Sequence, residues 1–215
     1  MSLSDQLSTY QAGFRERVPK DVQDVMGDAT TKLAASGLVE AAPKVDEVLK
    51  DFKLPNQVGV ERTLQELRSI GPVVVTFYRG GWCPYCNMEL RVWQEALPEI
   101  TAAGASLVAI TPELPDESLS TIEKNELEFE VLTDVNAAYA REIGLAFPLS
   151  EELKPVYTGF GIDLEKHNGE GQFDLPMAAT FVVDTEGLIV SAFVDADYTK
   201  RQEPSEVVSV LHGLS

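Results

Sequence analysis

One stretch constrains this chain more than any other: VVVTFYRGGWCPYCNMELRVW, residues 73–93. Residues 73–78 form an unbroken β-branched and aromatic run, which is typical of a strand buried on both faces. An Arg-Gly-Gly turn ends this strand. From Pro84 onward, apolar residues recur every three or four positions, as on one face of an amphipathic helix. The only two cysteines, Cys83 and Cys86, therefore lie where a buried strand leads into a helix N-terminus.

This location favours an ionised thiol. The N–H groups of a first helical turn lack partners, and the peptide dipoles place partial positive charge there. Both effects lower the pKa of a cysteine below its free value of about 8.5. Arg79 acts in the same direction if it folds back over the site, and Pro84 fits a first helical position. One of Cys83 and Cys86 can then be activated while the other closes a disulfide onto it, provided that solvent reaches a sulfur.

Two simpler interpretations of the CxxC motif are weaker. A disulfide that closes a four-residue loop restrains the unfolded chain by only about 2 kcal/mol, and it links residues that the helix already holds together. Zinc prefers four ligands, but the chain has no second cysteine pair, and its only histidines are His167 and His212. The sequence therefore favours redox chemistry at the cysteines themselves, with no metal and no other cofactor.

Composition excludes several classes of function. A chain of 215 residues suffices for one substantial α/β core with an extension. A net charge of −18 without any Lys/Arg cluster argues against nucleic acids and anionic membrane surfaces as partners. No run of 18 apolar residues predicts a membrane span. The N-terminus lacks the features of a secretory signal, which, together with a single close cysteine pair, predicts a reducing cytoplasm.

The chain divides into a predicted N-terminal helical extension, residues 1–42, and a redox domain, residues 43–215. Apolar spacing predicts two helices in residues 3–36, separated at Pro19. The redox domain alternates strand and helix, which predicts a sheet with a parallel centre. Its further predicted elements are a helix at 63–69, strands at 105–110 and 129–132, helices from Ser118 and after Asp134, a short helix opening at 150–152, a turn-rich loop at 159–171, an antiparallel hairpin of 179–184 and 188–194, and a final helix at 204–214.

A buried strand, WCxxC at a helix N-terminus, a crossover, a hairpin and a closing helix together form the pattern of a thioredoxin-like fold. This is an α/β fold with a central mixed sheet flanked by helices. Residues 52–214 further resemble the AhpC/TSA peroxiredoxin-like family, on the stretches FKLPN, VVVTFYRGGWCPYCNMEL, VAITPE, LTD, ATFVVDTEG and VDADYT. The resemblance implies an antioxidant oxidoreductase that acts on a peroxide or disulfide substrate. It also implies a thioredoxin- or glutaredoxin-type reductant and pairing into a homodimer.

The match to the family is mixed at individual positions. Peroxiredoxins carry Pro-x-x-x-Thr-x-x-Cys, commonly with a glutamate three residues on, and Cys86 and Glu89 fall on that cysteine and glutamate. Cys83 stands in place of the threonine, Arg79 in place of the proline, and Ala178 in place of a family arginine. In the family, the threonine and arginine position the peroxide oxygens and stabilise developing charge. Their replacement predicts slow reduction of peroxide.

The order of attack is left open by the sequence. The resemblance makes Cys86 the peroxidatic candidate, whereas in thioredoxins the more N-terminal cysteine, here Cys83, is the exposed nucleophile. Two other functions are compatible with the same motif. One is a protein disulfide reductase without a peroxidase role, which uses thiol–disulfide exchange alone. The other is a non-catalytic redox sensor whose N-terminal helices rearrange when the dithiol oxidises.

Several neighbouring residues carry simpler expectations. Trp82 is expected to shield the dithiol, and Tyr85 to be partly exposed at the end of the helix. His167 lies in a Gly-rich stretch, where we expect a solvated side chain. Asp195 and Asp197, within VDADYT, are interpreted as caps of a turn.

Overall fold

The computed structural model of the chain describes residues 1–214. The helices in this part of the chain are α1 (Leu3–Arg17), α2 (Lys20–Ala34), α3 (Leu38–Ala41), α4 (Leu64–Arg68), α5 (Pro84–Ala102), α6 (Pro115–Asn125), α7 (Ala138–Glu142), α8 (Lys154–Gly159), α9 (Leu164–Asn168) and α10 (Pro204–His212). The strands are β1 (Lys53–Pro55), β2 (Glu61–Thr63), β3 (Val73–Phe77), β4 (Ser106–Thr111), β5 (Glu130–Thr133), β6 (Ala146–Pro148), β7 (Asp174–Pro176), β8 (Ala178–Val183) and β9 (Ile189–Asp195).

A five-stranded mixed sheet forms the centre of the molecule, with strand order β5-β4-β3-β8-β9. The middle strand β3 runs parallel to β4 and antiparallel to β8. The predicted parallel centre is therefore right on one side only, because the hairpin of β8 and β9 adds to β3 in the antiparallel direction. The predicted thioredoxin-like mixed sheet is confirmed.

Both faces of β3 are buried, as its unbroken apolar run predicts. Since successive strand residues point to opposite faces, Val73, Val75 and Phe77 pack in one hydrophobic layer. Val74 packs in the other layer, which also contains both cysteines and residues of α5 and α10. The cysteines therefore belong to the packed layer on one side of the sheet.

The two N-terminal helices differ in how firmly they are held. Leu3 and Leu7 of α1 are buried in the same layer as the cysteines, and the N–H groups of Leu3 and Ser4 donate to the carboxylate of Glu203. None of the described residues 20–34 of α2 is buried. Helix α1 is thus part of the core layer, whereas α2 lies over the surface. The proposed division at residue 42 stays a prediction.

Several predicted boundaries are wrong. Helix α6 begins at Pro115 rather than Ser118, since proline fits a first helical position. Helix α8 begins at Lys154 rather than at 150–152. The loop predicted at 159–171 contains α9, whose first turn is capped by the Asp163 side chain accepting from the N–H of Lys166 at 3.1 Å. No helix within residues 1–214 has the length and apolar character needed to cross a membrane.

Two glycines offer a test of this packing. A Cβ on Gly71, just before β3, would lie 2.0 Å from the backbone oxygen of Gly104. Gly71→Ala is therefore expected to lower the free energy of unfolding by about 1–3 kcal/mol, through overpacking. A Cβ on Gly27, inside the exposed helix α2, would meet nothing within 4 Å. Gly27→Ala should therefore raise the free energy of unfolding by about 0.5–1 kcal/mol. Urea unfolding measures both, and equal stability of the two variants would contradict the packing.

Candidate active site

Cys83 occupies the N-cap of α5, and the helix begins at Pro84 as predicted. The Asn87 side chain holds the preceding loop by donating to the backbone oxygens of Gly81, at 2.7 Å, and of Cys83, at 3.0 Å. A second anchor is the N–H of Gly81, which donates to Glu113 at 2.9 Å. The strand-to-helix turn that carries the cysteines is therefore fixed from both sides.

Arg79 lies directly against the first sulfur. Its Nη2 donates to Cys83 Sγ at 3.1 Å and its Nη1 to the hydroxyl of Tyr157 at 2.9 Å. The guanidinium also lies over the ring of Tyr198, 4.2 Å from the centroid, and over that of Trp82 at 5.0 Å. Arg79 therefore folds back over the site, and its guanidinium contacts the thiol.

A second arginine, which the sequence analysis missed, lies against the other sulfur. Arg201 Nη2 donates to Cys86 Sγ at 3.3 Å, and its Nε pairs with Glu89 Oε2 at 2.5 Å. Ala178, the position at which the family carries an arginine, is a buried strand residue. Arg201 thus brings a guanidinium to the site from a different part of the chain.

The VDADYT motif, residues 194–199, lies just before this arginine in the chain and is a sequence signal that could have pointed to it. Asp195 and Asp197 are turn caps, as predicted, since they accept from the N–H groups of Asp197 at 2.8 Å and Thr199 at 3.0 Å. The turn leads the chain back toward α5, where Nη1 of Arg201 donates to the backbone oxygen of Tyr198 at 2.5 Å. The motif positions a cation, a role that its own residue types do not reveal.

The two sulfurs differ in their affinity for a proton. Burial opposes ionisation of Cys83, but hydrogen bonding with Cys86 and the charge of Arg79 lower the pKa of Cys83 well below its ordinary value. Burial and the neighbouring Cys83 raise the pKa of Cys86 well above it, despite the charge of Arg201. Cys83 is therefore the sulfur that ionises first, and Cys86 holds its proton to higher pH.

The position of the Glu89 carboxylate explains why the two sulfurs have different pKa values. Arg201 is already paired with Glu89, whose pKa is raised to about 7 by burial, against the opposing charge of Arg201. Arg79 is only 5% exposed, and no carboxylate pairs with it in the described part of the chain. A buried cation requires an anion close by, and the Cys83 thiolate is the group placed to supply it.

Both sulfurs are enclosed, which contradicts the expectation of a solvent-reachable thiol. Cys83 and Cys86 have no exposed surface. Tyr85 is only 4% exposed, so the prediction of a partly exposed ring is also wrong. Its ring packs edge-on between Tyr10 of α1, at 5.2 Å, and Tyr198, at 5.6 Å. Sequence periodicity did not predict this cover because the covering residues come from distant segments.

The AhpC/TSA family profile matches residues 45–192. The chain belongs to the AhpC/TSA family. A Mycobacterium tuberculosis protein designated a candidate peroxiredoxin is 31% identical over 124 residues, which cover 57% of this chain and 80% of the relative. Peroxiredoxin Bcp of Escherichia coli is 24% identical over 152 residues, which cover 71% of this chain and 86% of the relative.

The fold agrees with this family. The crystal structure of peroxidoxin BcpB from Mycobacterium tuberculosis matches with a TM-score of 0.63 at 22% identity, over 80% of this chain and 98% of that chain. Together these relatives indicate a thiol-dependent peroxidase. The family profile begins after α2, so the two N-terminal helices that pack near the dithiol lie outside the matched region.

The buried carboxylate of Glu113 supports the cysteine loop of this AhpC/TSA protein, because it accepts from the N–H of Gly81 at 2.9 Å. Glu113 also lies near His167. The Nδ1 atom of this histidine is 3.4 Å from Glu113 Oε1 and 2.8 Å from Glu117 Oε2. The hydrogen bond to Glu113 raises the pKa of His167. The prediction of a solvated His167 is therefore wrong, because α9 folds the histidine back onto the carboxylates.

Arg79→Gln tests the charge balance of the site. Without the guanidinium, the buried Cys83 thiolate loses its counter-ion, so the lowest thiol pKa of the reduced protein should rise by at least about one pH unit. Absorbance of the thiolate at 240 nm, followed over pH, measures this change. Arg68→Gln, which removes a half-buried arginine bonded to the backbone of Thr185, is the control and should leave the titration unchanged. An unaltered titration in Arg79→Gln would contradict the assignment.

Proposed function

We propose that this thiol-dependent peroxidase uses the Cys83 thiolate to attack the peroxide and Cys86 to resolve the oxidised sulfur. The observation that carries the proposal is the contact of Arg79 with Cys83 at 3.1 Å, in a site where this arginine has no carboxylate partner among residues 1–214. The thiolate is the reactive form of cysteine, and the lower pKa belongs to Cys83. Family alignment alone would assign the attack to Cys86.

The first step transfers an oxygen atom to Cys83. Its thiolate attacks the terminal hydroxyl oxygen of the peroxide, so that an S–O bond forms as the O–O bond breaks. The product is a sulfenic acid. The leaving hydroxide or alkoxide takes the proton of the Cys86 thiol, since Cys86 is the sulfur that keeps its proton to higher pH. Arg79 and the hydroxyl of Tyr157, which are joined at 2.9 Å, are placed to stabilise the developing negative charge.

The second step closes the disulfide. Cys86, now ionised beside Arg201 at 3.3 Å, attacks the Cys83 sulfur and expels hydroxide, which leaves as water after taking a proton from solvent. An external dithiol of the thioredoxin or glutaredoxin type then reduces the disulfide by exchange. Such a reductant fits a reducing compartment such as the cytoplasm. A homodimer stays a prediction.

Enclosure of both sulfurs requires that the site open during the cycle. Helix α1 packs on the layer that holds the dithiol, since Leu3 and Leu7 are buried in that layer and the ring of Tyr10 contacts that of Tyr85 at 5.2 Å. Helix α2 is the less firmly held of the two, because none of its described residues 20–34 is buried. Elements with few buried contacts open at the lowest free-energy cost. Movement of these N-terminal helices is the opening that we propose.

The two serine variants test the assignment of roles. With hydrogen peroxide, Cys83→Ser should consume peroxide at least about 100-fold more slowly than wild type, because the activated thiolate is gone. Cys86→Ser should consume about one equivalent of peroxide and then stop, because its Cys83 sulfenic acid lacks the resolving thiol. Stopped-flow consumption of peroxide and trapping of the sulfenic acid with dimedone measure these outcomes.

Two results of this experiment contradict the proposal. Wild-type rates in both serine variants would remove the dithiol from the chemistry, and dimedone labelling of Cys86 in Cys83→Ser at the wild-type rate would reverse the roles. Reduction of insulin disulfides without any turnover of peroxide would favour the disulfide reductase instead. That alternative draws on one observation, the cysteine at the position of the family threonine.

Tyr10→Ala tests the cover. Removal of the ring that packs on Tyr85 should increase the rate at which iodoacetamide alkylates the reduced protein by several-fold, because less structure must open to expose the thiols. Leu119→Ala, at a position 40% exposed on α6, is the control and should alkylate at the wild-type rate. Mass spectrometry over time measures both. An unchanged rate in Tyr10→Ala would show that access does not depend on α1.

A further inference from the structure

An apolar cavity of about 250 Å³ lies between α2 and the body of the domain, and Arg79 forms part of its wall. Its apolar lining comes from both sides: Met26, Ala29 and Leu33 of α2, and Phe147, Leu153 and Met177 opposite. Tyr157 and Tyr198 complete the wall beside Arg79. Because α2 lies outside the region matched by the family, residues 45–192, this chain builds the cavity with a segment of its own.

The charges around the cavity are of one sign. None of the described residues that line it is acidic, whereas two are cations, Lys32 and Arg79. Lys32 is exposed and already paired with Glu152 at 3.0 Å. Arg79 is buried, and its Nε has no hydrogen-bond partner in the described structure. The cavity thus joins an apolar interior to a desolvated cation, and within residues 1–214 the anion that Arg79 contacts is the Cys83 thiolate.

Oxidation of the dithiol removes that neighbour. In the Cys83–Cys86 disulfide, Sγ of Cys83 carries no charge, and Arg79 loses the anion that it contacts at 3.1 Å in the reduced protein. An unpaired buried charge costs several kcal/mol. The disulfide form therefore has a stronger requirement for an anion at Arg79 than the reduced form, and the cavity is the space from which a ligand reaches it.

We propose that this cavity binds an apolar monocarboxylate, with its carboxylate on Arg79 and the hydroxyl of Tyr157, and that it binds the disulfide form more tightly than the dithiol form. A cavity of about 150 Å³ holds benzene, so by the same proportion 250 Å³ holds a body of about ten carbons. Carboxylates pair with guanidinium in a two-pronged geometry. This proposal rests on the proposed function only in taking the disulfide as a state of the working cycle.

A ligand that prefers one redox form shifts the equilibrium between the two, by reciprocity of linked binding. Tighter binding to the disulfide makes the dithiol easier to oxidise and lowers the reduction potential of the pair. Each tenfold preference corresponds to about 30 mV for this two-electron couple. The carboxylate is thereby an effector of the redox state, with no part in the transfer of oxygen.

Octanoate is the probe for the test, and calorimetry measures its dissociation constant. The disulfide is prepared with diamide rather than peroxide, and the dithiol is kept with dithiothreitol, so that the binding result does not depend on peroxidase activity. We expect octanoate to bind the disulfide form at least about tenfold more tightly than the dithiol form. The neutral analogue 1-octanol should bind both forms equally, since it offers no charge to Arg79.

Two substitutions on the same helix locate the site. Ala29→Phe fills the cavity and should abolish octanoate binding, whereas Ala34→Phe makes the same change at an exposed residue of α2 that does not line the cavity and should leave binding intact. Circular dichroism checks that both variants fold. Equal affinity for the two redox forms, no binding, or binding that survives Ala29→Phe would overturn the proposal. Peroxide turnover, assayed separately on wild type, tests the proposed function.

Discussion

A buried guanidinium in contact with a sulfur sets the properties of this site. At 3.1 Å, the separation of Arg79 and Cys83, two unit charges attract by about 5 kcal/mol in a medium of effective dielectric constant 20. Desolvating either ion alone costs several kcal/mol. Neither charge is stable in this layer without the other. The packed layer around them, built on the second face of β3, is what keeps water from replacing the contact.

Charge counting around the two sulfurs explains why one of them is ionised. Arg79 and Arg201 bring two positive charges, and Glu89 brings one negative charge when it is ionised, so one thiolate balances the site. Glu89 is bonded to Arg201, which leaves Arg79 as the cation that lacks an anion. The chain thus combines the family's glutamate position with a helix-end dithiol. Arginines that lie far apart in the chain, at positions 79 and 201, supply its electrostatics.

The sequence predicted the elements that local chemistry dictates. The β-branched run 73–78, the glycine pair after it and the proline at position 84 fix a strand, a turn and a helix start, and the structure has all three. Arg201 was missed because a turn motif, not a spacing on α5, brings it to Cys86. Burial of the cysteines was missed for the same reason, since the covering rings come from α1 and from the segment after β9. Contacts between distant segments leave no periodic signal in one sequence.

The central claim is that Cys83, and not Cys86, carries the negative charge in the reduced protein. Site-resolved ¹³C NMR of the two cysteine Cβ atoms tests it most directly, because each Cβ shift reports ionisation of its own sulfur. Between pH 5 and 9, the account predicts that Cys83 titrates below its ordinary range while Cys86 stays protonated at neutral pH. Two protonated thiols at pH 8, or an ionised Cys86 beside a protonated Cys83, would contradict it.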